Sequence, residues 1–331
     1  TGRAARGLSV DLAVSTWAAR RRYTADAFPA ELLRRHKGST TVGVVIPTKE
    51  CADTVRGVIA ATVEPLREAG VVDDVLVVDA ASADGTARIA REAGARVIDQ
   101  DELLPDHGPA LGKGDAMWRA LHATSTDIVC FLDGDTGNPH PHHLQGLIGP
   151  LLADDTLQLV KGAFDRPLLA GGVTLADEGG RVTELMARPV LNLHEPRLAG
   201  FAQPLAGEFA GRRDLLESIP FPVGYGVEVA VLIDALRRHG LDALAECHLG
   251  QRQNRHQPLR VLGEMAYAVL AAVERRIGEP RSAIGGHYLR PWEDCAVVQV
   301  AVAERPPLPR AVTPSPRIRD RAPCRPAAPW A

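Results

Sequence analysis

Three short runs in this 331-residue chain, residues 42–46, 75–78 and 128–132, are apolar nearly throughout rather than at alternate positions. A strand with one wet face alternates, whereas a strand covered on both faces reads as a continuous apolar run. Between the first two runs, Val55, Val58, Ile59, Val63 and Leu66 fall at helical spacing within residues 53–69. Residues 84–93 and 115–123 read as further helices, with a short strand at 96–98. Buried strands separated by helices imply an α/β protein with a mainly parallel sheet flanked by helices. Ligands in such sheets bind beyond the carboxyl ends of the strands. Polar groups stand at those ends here: Thr48-Lys49-Glu50 after Pro47, Asp79, and Asp133-Gly134-Asp135.

The last of these is the most telling. Two carboxylates two positions apart, at the abrupt end of Ile128-Val129-Cys130-Phe131-Leu132, can present Mg²⁺ or Mn²⁺ to the diphosphate of a nucleotide-activated sugar. Asp99 and Asp101 repeat the spacing in a polar connection, so spacing alone is not specific. Leu111-Gly112-Lys113-Gly114-Asp115 offers a glycine-flanked lysine at a helix start, where N–H groups favour anions. The same residues also suit a plain helix start with a solvated lysine. A dinucleotide fingerprint is missing after the first strand, and a P-loop is missing from the chain.

Lys and Arg number 38 against 41 Asp and Glu, so no overall positive field favours nucleic acid. The runs Arg20-Arg21-Arg22 and Arg34-Arg35-His36-Lys37 read as solvated faces. No apolar segment approaches the roughly 20 residues of a membrane span, and the first residues lack the apolar stretch of a secretory leader. Cys51, Cys130, Cys247, Cys295 and Cys324 are scattered without C-x-x-C spacing, which favours a cytoplasmic protein.

Residues 1–40 read as an arm of short helices anchored by Trp17 and Phe28. Residues 41–165 form the α/β domain, and 166–303 a less regular portion. A strand at 157–163 straddles no clear boundary. A helix begins near Thr183, another spans 227–239 and stops at Gly240, a strand covers 241–248, and a long helix spans 259–277. Residues 304–331, rich in Pro and Arg, read as a disordered tail. His140, His142 and His143 read as solvated loop histidines. Glu208 has two readings, a catalytic carboxylate or a buried hydrogen-bonding one.

Several segments occur in unbroken order across about residues 40–280. They are Val45-Ile46-Pro47-x-x-Glu50, Val78-Asp79, Gly112-Lys113-Gly114 with Trp118, and Asp133-Gly134-Asp135. Further on come Gly180-Arg181-Val182-Thr183, Gln203-Pro204-Leu205-x-Gly207-Glu208 and Gly224-Tyr225-Gly226-Val227-Glu228. This pattern resembles the glucosyl-3-phosphoglycerate synthases, retaining glycosyltransferases of the GT-A (nucleotide-diphospho-sugar transferase) fold. The resemblance implies glucose transfer from UDP-glucose to 3-phosphoglycerate with Mg²⁺ or Mn²⁺, in a cytoplasmic homodimer with a helical C-terminal portion. It makes 41–165 the nucleotide-sugar-binding domain and 166–303 the acceptor-binding and dimerisation portion.

By the same resemblance, Pro47, Thr48, Lys49, Glu50 and Asp79 hold the uridine. Lys113, Asp133, Gly134, Leu205 and Arg252 face the donor nucleotide and diphosphate. Tyr225, Gly226, Val227 and Glu228 surround the sugar, and Gly180, Arg181, Val182 and Thr183 clamp the acceptor phosphate. A guanidinium, a hydroxyl and N–H groups at a helix start do suit an anion, though a Gly-Gly turn capped by Thr183 suits those residues too. Glu228, Asp135 and Lys113 are the catalytic candidates, with Asp135 the metal carboxylate.

The chain also departs from the family. A family metal-ligating histidine is Asn254 here, and His256 stands where the family has an asparagine near the acceptor. Either His256 takes over coordination, Asn254 supplies an oxygen, or the metal is held more weakly. Lys49 replaces an asparagine, Ala80-Ala81 replace Ser-Gly, and Gly162-Ala163-Phe164-Asp165 replace Ser-Phe-Tyr-Arg. A non-catalytic or altered-substrate nucleotide-sugar-binding relative is therefore the alternative reading.

Overall fold

A computed structural model describes residues 2–165, 168–170, 173–175, 180–252, 258–277, 285–290 and 296–308. The chain opens with α1 (Gly2–Arg21), β1 (Arg22–Thr24) and α2 (Ala30–Lys37). Next come β2 (Val42–Thr48) and a continuous helix made of α3 (Val55–Gly57), a wider π-type turn (Val58–Val63) and α4 (Glu64–Glu68). β3 (Asp74–Asp79), α5 (Thr86–Glu92), β4 (Arg96–Asp99), α6 (Lys113–Ala123), β5 (Ile128–Phe131), α7 (Pro141–Ala153) and β6 (Leu159–Asp165) follow. A hairpin of β7 (Leu168–Ala170) and β8 (Val173–Leu175) precedes α8 (Arg188–His194) and β9 (Phe209–Arg212). Then come α9 (Arg213–Ser218), β10 (Phe221–Pro222), α10 (Val227–His239), β11 (Leu244–Gln251) and α11 (Leu259–Ile277). A second hairpin, β12 (His287–Arg290) with β13 (Ala296–Gln299), leads to β14 (Glu304–Arg305).

Eight strands form one sheet in the order β1-β11-β6-β9-β5-β2-β3-β4. All of its pairings are parallel except those of β9 with β5 and β6. The continuous apolar runs follow from this placement. In β2, Val44 and Ile46 pack with α7, Phe28 and the helix after β2, while Val45 faces the opposite core with Trp118, α10 and Phe209.

The chain leaves β2 toward β3 and returns to its other side as β5, so the strand order reverses at the β2–β5 boundary. That switch point opens a crevice beyond the strand ends. Pro47 lies inside β2 rather than closing it, since β2 runs on to Thr48. Val45 O accepts from Leu132 N at 3.0 Å, so Pro47, two residues on, turns its donor-less nitrogen toward the same neighbour. The β5 ladder has already ended at Val45↔Phe131, and no hydrogen bond is lost.

Other expectations change. The arm opens on a 20-residue helix, with short helices only after it, and β1 joins the sheet beside β11. Trp17 does anchor it, donating from Nε1 to Leu244 O at 2.8 Å. The first basic run is ion-paired on the surface, Arg20 with Asp242 at 2.7 Å and Arg21 with Asp154 at 2.5 Å. Order extends past Glu304: β14 pairs with β10, and Leu308 N donates to Glu217 O at 2.9 Å. The expected loss of structure from residue 304 is thus corrected for 304–308, while 309–331 lie outside the described residues. Among the described residues no helix is long and apolar enough to cross a membrane. Cys51, Cys130 and Cys247 are free and buried.

Helix α7 directly follows the acidic turn and had no counterpart in the sequence reading. Gly146 and Gly149 let it lie close to its neighbours. A Cβ on Gly146 would stand 2.6 Å from Leu249, 2.7 Å from the Cys247 sulfur and 3.1 Å from Ala25. On Gly149 it would collide with the Phe28 ring at 2.3 Å. Overpacking of this kind costs about 1–3 kcal/mol. Gly146→Ala is expected to lower the unfolding free energy measured in urea by that amount, and an unchanged value would show the contact to be loosely packed.

Candidate active site

The crevice is built from four chain segments. β2 ends at Thr48, whose Oγ1 donates to the buried Asp79 Oδ1 at 2.8 Å across the β2–β3 pair. Ser82, which the sequence reading passed over, donates to Asp79 from both its N and its Oγ, each at 2.8 Å. Glu50 N donates to Ser82 Oγ at 2.9 Å, and Ala83 N donates to Glu50 Oε1 at 2.9 Å. Glu50 and the loop after β3 therefore clasp each other, and Glu50 acts on that loop before it acts on any ligand. Lys49 is exposed beside them.

The second segment is the turn after β5. Gly134 fits beneath Thr48, where a Cβ would come within 2.8 Å of Thr48 Cγ2. Thr54 Oγ1 donates to Gly134 O at 2.7 Å, and Thr136 Oγ1 donates to Asp133 O at 3.1 Å. The turn is thereby held from both sides, with Asp133 directed inward and Asp135 exposed. The decoy pair behaves differently: Asp99 Oδ1 accepts from Asp101 N at 2.8 Å and caps a local turn.

The third and fourth segments are the first turns of α6 and α10, which nearly touch. A Cβ on Gly114 would lie 1.9 Å from Pro222 O, so only glycine permits this approach. Lys113 and Glu228, one from each first turn, meet with Lys113 Nζ 3.2 Å from Glu228 Oε1. The same Nζ lies 2.7 Å from Asp133 Oδ1. Burial works against the lysine's charge, but the Asp133 and Glu228 carboxylates outweigh it and hold its pKa above the ordinary value.

Arg252 closes the floor. Buried at the end of β11, it donates to Thr136 Oγ1 at 2.6 Å and reaches Asp133 Oδ2 at 3.4 Å. Its other terminal nitrogen pairs with the buried Glu208 carboxylate. Of the two readings of Glu208, the structure supports the buried, ion-paired carboxylate. Asp135 experiences the enclosing protein and the neighbouring Asp133 charge, both of which raise its pKa, with Arg252 and Lys113 opposing. His143 is buried at the start of α7 rather than solvated. Burial, then Arg252, lowers its pKa to about 3, so it is neutral at physiological pH.

The loop at residues 203–208 spans the site. At one end Gly207 packs against the ion pair, where a Cβ would stand 2.4 Å from Lys113 Nζ and 2.7 Å from Asp133 Oδ1. At the other, Gln203 Oε1 is buried without a hydrogen-bond partner among the described residues, and a Cβ on Gly180 would stand 3.9 Å from it. Gly180, at φ 67°, opens the helix of residues 181–194, in which Arg181 and Val182 are half-buried and Thr183 is buried. Leu205 is half-buried against the core, and Tyr225 is exposed at the rim beside Gly226 and Val227. Asn254 and His256 lie outside the described residues. Thr136 and Ser82 went unread in the sequence, and Gln203 was read only as part of a family segment, because no motif marks a hydroxyl or amide that acts through tertiary contact.

A strand order with one reversed strand and a lysine–carboxylate cluster at the switch point fit the GT-A fold, and the family match and relatives below make the class a glycosyltransferase. Residues 43–171 match the Glycosyl transferase family 2 model. The glucosyl-3-phosphoglycerate synthase of Mycolicibacterium paratuberculosis is 44% identical over 273 residues, 82% of each chain. This chain belongs to the glucosyl-3-phosphoglycerate synthase family. It is similar to the solved structure of the Mycobacterium tuberculosis enzyme in complex with Mn²⁺, UDP-glucose and phosphoglyceric acid. There the TM-score is 0.77 at 41% identity, covering 85% of this chain and 94% of that one. It is similar too to a mannosyl-3-phosphoglycerate synthase from Rubrobacter xylanophilus, with TM-score 0.79, 42% identity and coverage of 89% and 98%.

Lys161 is the one buried lysine beneath the loop among the described residues, donating to Ala206 O at 2.5 Å over the Phe209 ring. Burial lowers its pKa from 10.5 to about 7. Between those values the unfolded chain binds more protons than the folded one, so stability rises with pH across that window. Wild type should gain stability from about pH 7 upward relative to Lys161→Met, measured by urea unfolding. Parallel pH profiles would show the amine to titrate normally.

Proposed function

We propose that this chain transfers glucose from UDP-glucose to the hydroxyl of 3-phosphoglycerate with retention at the anomeric carbon, assisted by Mg²⁺ or Mn²⁺. The observation that carries the reading is Lys113 held between Asp133 and Glu228, 2.7 and 3.2 Å away, beside the exposed Asp135. The donor set fits a hard divalent cation. Asp135 offers oxygen, and a cation would offset both the desolvation and the neighbouring Asp133 charge that raise its pKa. Among the described residues no cluster of three or more His, Cys, Asp or Glu forms a ready-made cage. Mg²⁺ characteristically takes one or two carboxylates and completes its shell with substrate phosphates. When bound, the cation would offset charge on the departing UDP.

The chain's own residues divide the remaining work. Thr48, Asp79 and the Glu50 clasp form the uridine face. Lys113 binds and orients the diphosphate, with Asp133 fixing its direction. Glu228 steadies the sugar against Lys113, and Arg252 locks the Asp133 turn from below. Residues 180–183 receive the acceptor phosphate, and the buried Gln203 Oε1 is placed to accept from an acceptor hydroxyl. That hydroxyl attacks on the face UDP leaves. The bond from the anomeric carbon to the diphosphate breaks, the new glycosidic bond forms, and the hydroxyl proton passes to the departing phosphate.

The similarity to a mannosyl-3-phosphoglycerate synthase favours a second donor, a nucleotide-activated mannose, on the same site. Buried free thiols fit a reducing compartment, so we place the enzyme in the cytoplasm. We also assign it a homodimer through the face of α11 where Leu259 and Leu270 are exposed. Light scattering should give twice the mass of one chain.

Incubation with 3-phosphoglycerate, Mn²⁺ and either UDP-glucose or GDP-mannose tests the assignment by nucleotide release and product mass. UDP release with a glucosylated product is expected, and GDP release alone would move the assignment to mannose. Asp135→Asn is expected to lower turnover by about 100-fold or more. Absence of nucleotide release with every phosphorylated acid tried, together with UDP binding indifferent to Mn²⁺, would leave a binding protein instead.

A further inference from the structure

Residues 300–308 run across the back of the two helices that carry Lys113 and Glu228. Val223 N donates to Ala303 O at 3.0 Å, and β14 pairs antiparallel with β10, the segment on which Gly114 rests. Glu304 and Arg305 then reach in opposite directions. Glu304 Oε1 pairs with Arg276 of α11 at 2.6 Å, and Arg276 also holds Asp234 of α10 at 2.8 Å. Arg305 grips both oxygens of Asp115, at 2.9 and 2.6 Å, and donates to His107 O at 2.9 Å. Trp118 Nε1 donates to Pro306 O at 2.8 Å, with the Arg305 guanidinium over its ring.

Asp115 is two positions from Lys113, in the same first helical turn, and is fully buried. It also accepts from Leu111 N at 3.0 Å, at the entry to the glycine-flanked lysine. Arg119, one turn along the same helix, already neutralises it from 3.1 Å. The second guanidinium comes from 190 positions later. A bidentate arginine fixes direction as well as charge. Its direction here passes through Asp115 to the backbone on both sides of Lys113.

We propose that residues 300–308 form a strap that sets the position of Lys113 for the donor diphosphate, with Arg305 as the positioning residue acting through Asp115. The proposal rests on Lys113 being a donor ligand, as assigned above. A strap that only added stability would affect both substrates alike. A strap that aims Lys113 acts on the donor selectively.

The test compares full-length wild type, Arg305→Met, Arg305→Lys and Trp118→Phe. Steady-state rates are measured with UDP-glucose, 3-phosphoglycerate and Mn²⁺, and acetylation of Lys113 is followed by mass spectrometry without ligands. Arg305→Met is expected to raise the KM for UDP-glucose about tenfold while the KM for 3-phosphoglycerate stays within about twofold. The Lys113 acetylation rate should change at the same time. Arg305→Lys should recover part of both effects, and Trp118→Phe, which releases Pro306 without altering any charge, should show the same pattern more weakly. Equal changes in both KM values, or a kcat that merely follows the folded fraction, would overturn the strap. So would unaltered Lys113 acetylation. If wild type turns over no donor, the assigned activity fails, and the acetylation comparison still decides the strap.

Discussion

Lys113 is the interaction on which the site is assembled. Its ammonium joins the end of β5, through Asp133, to the first turn of α10, through Glu228. At an effective dielectric constant of about 20, unit charges 4 Å apart attract by about 4 kcal/mol, but burying a charge consumes much of that gain. One carboxylate would serve to neutralise the lysine. Two of them, with Asp135 and Glu208 close by, set four carboxylates against the cations of Lys113 and Arg252. Carboxylate oxygens gathered in this way are the ligands a hard divalent cation prefers.

Backbone approach decides how close these groups come. Gly207 lies against the Lys113–Asp133 pair where any side chain would displace one partner, and Gly114 lies against Pro222 O where none fits. A single Cβ at either position would push the first turns of α6 and α10 apart or drive the loop of residues 203–208 away from the lysine. Lys161 holds that loop from beneath through Ala206 O. The floor of the site is thus fixed by a buried amine, and its wall by two missing side chains.

Much of the sheet was legible in the sequence, because strands buried on both faces must be apolar throughout and their polar ends must lie in solvent. The helices Val227–His239 and Leu259–Ile277 agree to the residue, since each repeats an apolar stripe for three or more turns and α10 stops at a glycine. Helix α7 was hidden by its own glycines and by Pro150, which suggest a break. The helix tolerates them because close packing against Phe28, Cys247 and Leu249 replaces propensity as the source of stability. Arg305, and the distant carbonyl that Trp118 meets, escaped notice for another reason. Their partners are most of a chain length away or on backbone carbonyls, and no local pattern records either. The residues proposed for metal, donor and phosphate were legible as family segments, while most of the hydroxyls and amides that hold them were not.

Two of the three non-glycine residues with positive φ among the described residues, Glu50 and Ala81, lie across the crevice from Lys113, and the third, Leu104 at 51°, lies in the loop before α6. Glu50 and Ala81 have φ of 52° and 51°, a left-handed conformation that residues with a Cβ seldom adopt and that costs about 1–3 kcal/mol each. They lie at the ends of neighbouring strands, and the clasp of Glu50 with Ser82 and Ala83, anchored on buried Asp79, holds that region. Ion pairs set the proposed diphosphate side of the site, whereas a strained, hydrogen-bonded backbone sets the proposed uridine side. Charge interactions weaken with salt and shift when a cation enters, but a clasped backbone does neither. The proposed uridine face is therefore formed before the ligand arrives, and the geometry left to adjust on binding is that of Asp135 and the lysine beside it.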